Sequence, residues 1–241
     1  MRTGECGMRN NVSQLHDARH GVSHSAFRIS RLVLAGLSVV APLAAQDPGP
    51  VLDRASAAYQ TVSTLSAEFT QVVINPLVGT PDTTRGTLYQ MRPSHFAMRF
   101  SHPKGDRVVA DGRHLWIYTP STTPGQVIRT TIPETGTTGP NLIGQFVEHP
   151  RERYRAKYIR MDSLATGLAD VIELVPRDDD APYRQALVWV NRVSGLLTRL
   201  EIVEASGQRR EIALAKVRVN GGLPAREFIF SPPAGVRVVS P

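Results

Sequence analysis

A mainly β fold with two short helices is predicted for this chain, as an antiparallel sheet, sandwich or barrel. Three observations carry that prediction. Apolar and polar residues alternate through about eleven short segments between Leu65 and Phe230. Turn signals recur roughly every 8–12 residues. No strand-helix-strand alternation calls for a parallel sheet. The 241 residues are 41% apolar and 20% charged, which excludes a disordered, collagenous or polytopic membrane chain. The single cysteine, Cys6, excludes a disulfide framework and a thiolate metal cluster. Without an internal repeat or linker, one domain over 46–241 is the economical reading.

The first 45 residues stand apart. Arg2, Arg9, Arg19, Arg28 and Arg31 face only Glu5 and Asp17, and Leu32–Ala45 then runs 14 residues without a charge. Arginines, an apolar run and small residues describe a secretory signal peptide over 1–45. The run is short for a helix spanning a hydrocarbon core of ~30 Å. An uncut anchor or a core helix is the alternative. Leu43 is a weaker match than Ala at the third position before a cut at Ala45, so the site is set to within a few residues. Met8 or a later start would shorten the long segment before Arg28. Removing five basic and two acidic residues from totals of 28 and 21 leaves 23 and 19, so the net charge falls from +7 to +4. Twenty of those 23 are Arg, a skew of composition and not a nucleic-acid signal.

The elements follow in order. Asp47 suits a helix cap and Pro48 and Pro50 its first turn. Leu52, Ala55, Ala58, Tyr59 and Val62 then recur at helical spacing. From Leu65 the period becomes two, giving a strand to about Ile74. Strands are expected over Arg85–Met91, His95–Ser101, Arg107–Ala110, His114–Thr119 and Gln126–Ile132. Asp111-Gly112 between the third and fourth of these is a strong hairpin signal. The Gly, Thr and Pro of Glu134–Asn141 mark a loop. Leu142, Ile143 and Phe146 at helical spacing give a short amphipathic helix over Asn141–Val147. Strands resume over Tyr154–Met161, Ala169–Val175, Arg184–Asn191, Leu196–Glu204, Glu211–Val219 and Glu227–Phe230.

No catalytic constellation is legible. There is no G-x-S-x-G elbow and no H-E-x-x-H pair. His95, His102, His114 and His149 lack metal-ligand spacing. Asp178–Asp180 lacks the EF-hand pattern and reads as a solvated loop. Asp106 and Asp111 fall beside turns, where Asp is common anyway. No enzyme, metal or cofactor is predicted.

Four segments stand in a telling order: Leu65-Ser66-Ala67-Glu68-Phe69-Thr70-Gln71; Gly86-Thr87-Leu88-Tyr89 with Arg92-Pro93 and Phe96; Asp111-Gly112-Arg113-His114-Leu115-Trp116-Ile117-Tyr118; and Phe228-Ile229-Phe230-Ser231-Pro232-Pro233 before Gly235-Val236. In order and spacing they resemble the LolA family, periplasmic carriers of outer-membrane lipoproteins. The resemblance covers the chain after the leader, the Asn141–Val147 helix included. It implies a strongly curved antiparallel sheet, an incomplete (half) β-barrel lidded by short helices, whose concave apolar space takes up acyl chains. The implied partners are acylated lipoproteins as cargo, an inner-membrane ABC transporter that releases them and an outer-membrane acceptor lipoprotein. A monomer in the periplasm, with no nucleic acid, is expected.

Acyl chains are worth about 0.8 kcal/mol per buried CH2, so a carrier must shield them in a cavity and still release them. A lid that opens meets both needs. The resemblance implies that Arg92 latches the lid through its backbone carbonyls; five fixed donors suit that task. The alternative is a surface arginine at a strand end. Phe69, Leu88, Phe96, Met98, Phe100 and Trp116, with Leu142, Ile143 and Phe146 from the lid, are the candidate cavity lining. Periodicity leaves open whether each lines a cavity or packs a core, and Gln90 shares the inward parity of Leu88 despite being polar. A sensor or regulator of envelope lipids with the same fold is the alternative function, and a lipid hydrolase the third.

Overall fold

The structure, a computed structural model, describes residues 46–132 and 141–240. The expected leader, and all but Asn141 of the loop expected over Glu134–Asn141, lie outside the described residues.

The chain opens with α1 (Gly49–Gln60). The Asp47 Oδ1 accepts the Gly49 N–H at 2.9 Å, and Pro48 and Pro50 stand where a missing donor costs nothing. Its buried face is Val51, Leu52, Ala55 and Tyr59, the three- and four-residue spacing read from sequence. Strands β1 (Thr64–Ile74), β2 (Pro81–Met91), β3 (His95–His102), β4 (Arg107–Asp111), β5 (His114–Tyr118) and β6 (Gln126–Thr131) form a meander. After α2 (Gly144–Val147) and α3 (Pro150–Arg153), a second meander contains β7 (Tyr154–Leu164), β8 (Gly167–Pro176), β9 (Tyr183–Asn191), β10 (Leu197–Glu204) and β11 (Arg209–Val219). β1 pairs antiparallel with β11, which fuses the two meanders into one sheet; with a last short strand, β12 (Arg237–Val239), its order is β12-β6-β5-β4-β3-β2-β1-β11-β10-β9-β8-β7. The twelve strands are curved and do not close on themselves, and β12 and β7 are the edges. Among the described residues no helix is long and apolar enough to cross a membrane.

Alternation assigns the faces. Leu65, Ala67 and Phe69 of β1, Leu88 of β2, Phe96 and Met98 of β3, Ile172 and Leu174 of β8, and Leu200 and Ile202 of β10 all join the cluster that α1 and α2 cover. The opposite face carries two smaller clusters, around Val109 with Phe228 and around Val171 with Trp189.

Gly86 sits opposite Phe69 on one side and Phe100 on the other. A Cβ there would overlap the Arg99 carbonyl and crowd the Phe69 ring. Its absence lets the two phenyl rings meet edge to face with centroids 5.2 Å apart. At the β4–β5 turn Gly112 has φ +93°, a left-handed backbone that favours glycine. The Asp111 carboxylate pins that turn by accepting the Arg113 and His114 N–H groups.

Two expectations are corrected. Glu227–Phe230, expected as a strand, is a 3-10 turn over Ala225–Phe228. It lies on β3 and β4, whose edges are already paired on both sides, so its backbone bonds locally, Glu227 N–H to Pro224 O at 3.0 Å. That turn drives Phe228 into the sheet face against Ala97 and Val109. The last strand is instead β12, beyond the prolines, and it runs parallel to β6. The short α3 was not expected; Pro150 starts it.

Candidate binding cavity and its lid

Between the concave face and α2 lies a cavity of about 510 Å3. Its apolar wall is Phe96 and Met98 of β3, Val108 of β4, Leu115 of β5, Ile202 of β10, Ile212 of β11 and Leu142 from the lid. Both meanders contribute to it, so the β1–β11 pairing creates the site. Its rim is polar: Gln71, Gln145, and the Glu204–Arg210 ion pair at 3.3 Å. The volume falls inside the range of roughly 300–1,000 Å3 usual for small-molecule sites.

Of the nine residues expected to line the cavity, Phe96, Met98 and Leu142 do so. Leu88, Ile143 and Phe146 face the same space but are packed shut, at 0%, 3% and 0% exposure. Phe69 and the partly buried Phe100 pack on each other on the same face, and Phe69 borders a second space of about 480 Å3 with Glu68, Arg85 and Arg199. Trp116 is a correction. It lies on the opposite face, 5.6 Å from the Phe230 ring, with its indole N–H donating to Asp111 at 2.8 Å. Its neighbour Leu115 takes the inward place, because Ala110 pairs with Leu115 and Val109 with Trp116. Val108, Leu115, Ile202 and Ile212 were missed as lining. The tight turn at Gly112-Arg113 would have shown the first two, since it fixes which residues oppose each other.

The lid is anchored at both ends. On one side, the Arg92 guanidinium donates to the carbonyls of Tyr59 and Gln60 at 3.2 and 3.5 Å and stands 4.9 Å above the Tyr59 ring. These are carbonyls at the C-terminus of α1, where a cation is favoured. The second guanidinium nitrogen is 3.6 Å from Glu148, just past α2. Arg92 therefore touches both helices of the cover. Its acceptors are on α1, and its link to α2 is a charge pair with a side chain.

Beneath it is a buried polar knot. Gln90, 3% exposed, donates through Nε2 to the Tyr59 hydroxyl at 2.5 Å and to Asn141 Oδ1 at 2.9 Å. The Tyr59 hydroxyl donates to the same Asn141 oxygen at 2.8 Å, which also accepts the Gly144 N–H at 2.7 Å. Gln90 thus points inward, as its parity requires, and joins β2, α1 and the start of the lid. Burial raises the Tyr59 pKa, with the hydrogen bonds to Asn141 and from Gln90 opposing it, so the phenol stays a neutral donor.

On the other side, Phe146 stacks on Tyr154 with centroids 6.2 Å apart and leans on Tyr183 at 5.8 Å. The Tyr154 hydroxyl donates to the Gln145 carbonyl at 2.8 Å. Burial raises the pKa of both tyrosines. A third tether runs from α1 to β8, where Arg54 meets the buried Asp170 at 2.7 Å. Among the described residues no cluster of His, Cys, Asp or Glu is arranged to hold a metal ion.

An open sheet with a two-sided lid over an apolar cavity is the arrangement that the resemblance implies. The family described as "Outer membrane lipoprotein carrier protein LolA" matches residues 60–231. The chain belongs to the LolA family. It is similar to a protein named outer-membrane lipoprotein carrier protein from Bordetella avium (strain 197N), 28% identical over 211 residues, covering 88% of this chain and 97% of that one. It is also 29% identical over 187 residues to a protein of the same name from Albidiferax ferrireducens, covering 75% and 86%. Among solved structures, an uncharacterized conserved protein from Thermus thermophilus shares the fold at TM-score 0.51 and 12% identity, covering 81% of this chain and all of that one.

Proposed function

We propose that this LolA-family chain is a non-catalytic periplasmic carrier of outer-membrane lipoproteins. The observation that carries the reading is the apolar cavity of about 510 Å3 under a lid held by polar contacts. A chain of ~16 carbons gains about 12 kcal/mol by leaving water, so a largely apolar wall supplies the driving force for uptake. The lid side chains Ile143, Phe146 and Val147 are almost wholly buried against the sheet, so a guest that reaches beyond the cavity must lift them. Arg92 is the latch: its bonds to the α1 carbonyls and Glu148 break as the cover rises, which lowers net affinity and permits release. The cargo arrives from an inner-membrane ABC transporter and is delivered to an outer-membrane acceptor. Residues 1–45 act as the export signal.

Leu115 and Trp116 supply the test, being adjacent in sequence and on opposite faces. Leu115→Glu is expected to abolish binding of a fluorescent palmitate to the purified protein, and Trp116→Phe to leave it unchanged. Undiminished binding by Leu115→Glu would remove the cavity from the account. Depletion in cells is expected to strand lipoproteins at the inner membrane.

A further inference from the structure

A second cleft adjoins the apolar cavity and has a different chemistry. It measures about 600 Å3 and lies between the end of β8, the loop that follows it, and α3. The two spaces share Gln145, Pro182 and Tyr183, so one wall divides them. The cleft side of that wall is polar. Arg153 and Arg177 offer donors, and Asp178 and Asp180 offer acceptors. None of these four stands in an ion pair among the described residues, and Arg177, Asp178 and Asp180 are exposed. The dividing wall is itself hydrogen-bonded: Tyr154 gives its proton to the Gln145 carbonyl, so Tyr183 must donate to Tyr154 across 2.7 Å. The Tyr183 oxygen keeps its lone pairs free to accept.

An acyl chain in the apolar cavity is covalently attached to something polar, which must leave through a rim. Gln145, Pro182 and Tyr183 line both spaces, so a polar group that leaves the cavity over the top of that wall enters this cleft. We infer that the cleft is a subsite for the polar part of the cargo, the glycerol ester and the first peptide units after the acylated cysteine. Arg153 and Arg177 would donate to ester and peptide carbonyls, and Asp178 and Asp180 would accept peptide N–H groups. The inference rests on the acyl-cavity reading, and adds that the protein distinguishes a lipopeptide from a free fatty acid.

Two probes separate the claims: a tripalmitoylated cysteinyl pentapeptide and palmitic acid, each titrated calorimetrically into the full chain without its leader. The double variant Arg177→Ala/Asp180→Ala changes exposed loop side chains and leaves the Asp178-capped turn in place. It is expected to bind the lipopeptide at least about fivefold more weakly, the equivalent of one lost hydrogen bond, and palmitic acid as before. Weakening of both probes to the same degree, or of neither, would overturn the subsite. Binding of neither probe by the unaltered protein would instead overturn the acyl-cavity reading, and this inference with it.

Discussion

The two faces of the sheet are covered in different ways. The concave face is covered by α1 and α2, held at their margins by Arg92, Gln90, Asn141 and Tyr154 through directional bonds. Over β3 to β5 the convex face is covered by the segment around Phe228 and Phe230, held mainly by apolar and aromatic packing on Ala97, Val109, His95 and Trp116, with one polar clamp from Arg99 to Glu227 at 2.6 Å and to the Arg226 carbonyl at 3.1 Å. Apolar contact is non-directional and is lost gradually, whereas a few hydrogen bonds can be broken and remade at defined positions. Polar fastening over a cavity suits a cover that lifts. Aromatic filling suits one that stays.

The largest expected effect belongs to the fixed cover. Phe228, 2% exposed, is expected to cost about 3–5 kcal/mol on truncation to Ala, read by urea unfolding, with palmitate affinity under native conditions unchanged. A selective loss of palmitate binding would break the division between the faces. Next comes Tyr59→Phe, which deletes the hydroxyl that links Gln90 to Asn141. It is expected to cost about 1–2 kcal/mol and to speed acyl uptake in stopped-flow fluorescence. Slower uptake would mean that the knot helps the lid to open.

Asp111 provides a comparison by pH. Burial pushes its carboxyl up, but hydrogen bonds from the Trp116 indole and the His114 and Arg113 backbone outweigh it, and the net shift is downward. A lowered carboxylate pKa contributes stability above the unfolded value of about 3.9 and loses it as pH falls through the folded value. Asp111→Ala is therefore expected to be less stable by about 1–2 kcal/mol near neutrality, with the gap narrowing below about pH 4. A gap independent of pH would assign the loss to turn geometry alone. The smallest effect on stability is expected at Arg92, which is one-third exposed and whose Glu148 partner is more so. Arg92→Leu is expected to cost under about 1 kcal/mol and still to alter lipoprotein transfer in a reconstituted assay. Unchanged transfer would return Arg92 to the role of a surface arginine.

The sequence made the fold legible wherever one face was buried. β1, β3 and β10 were readable from alternation, and α1 from its spacing. What escaped was set by register and crossing. Trp116 and Leu115 obey the same alternation, and only the register of β4 against β5 tells which one points inward. Phe228 alternates with Phe230 as a strand residue would, yet no free strand edge is there to receive it. Gln90 read as an anomaly because its partners, Tyr59 and Asn141, are 31 and 51 residues away. The same holds for Ile202 and Ile212, which reach the cavity only through the β1–β11 pairing.

The central claim is that the concave face, and not the convex one, receives acyl chains. A palmitoyl chain carrying a diazirine near its end, photolysed on the protein and mapped by mass spectrometry, tests it most directly. Labels on Phe96, Met98, Val108, Leu115, Ile202 or Ile212 are predicted. Labels clustered on Trp116, Phe228 or Phe230, or none above a non-photolysed control, would contradict the account.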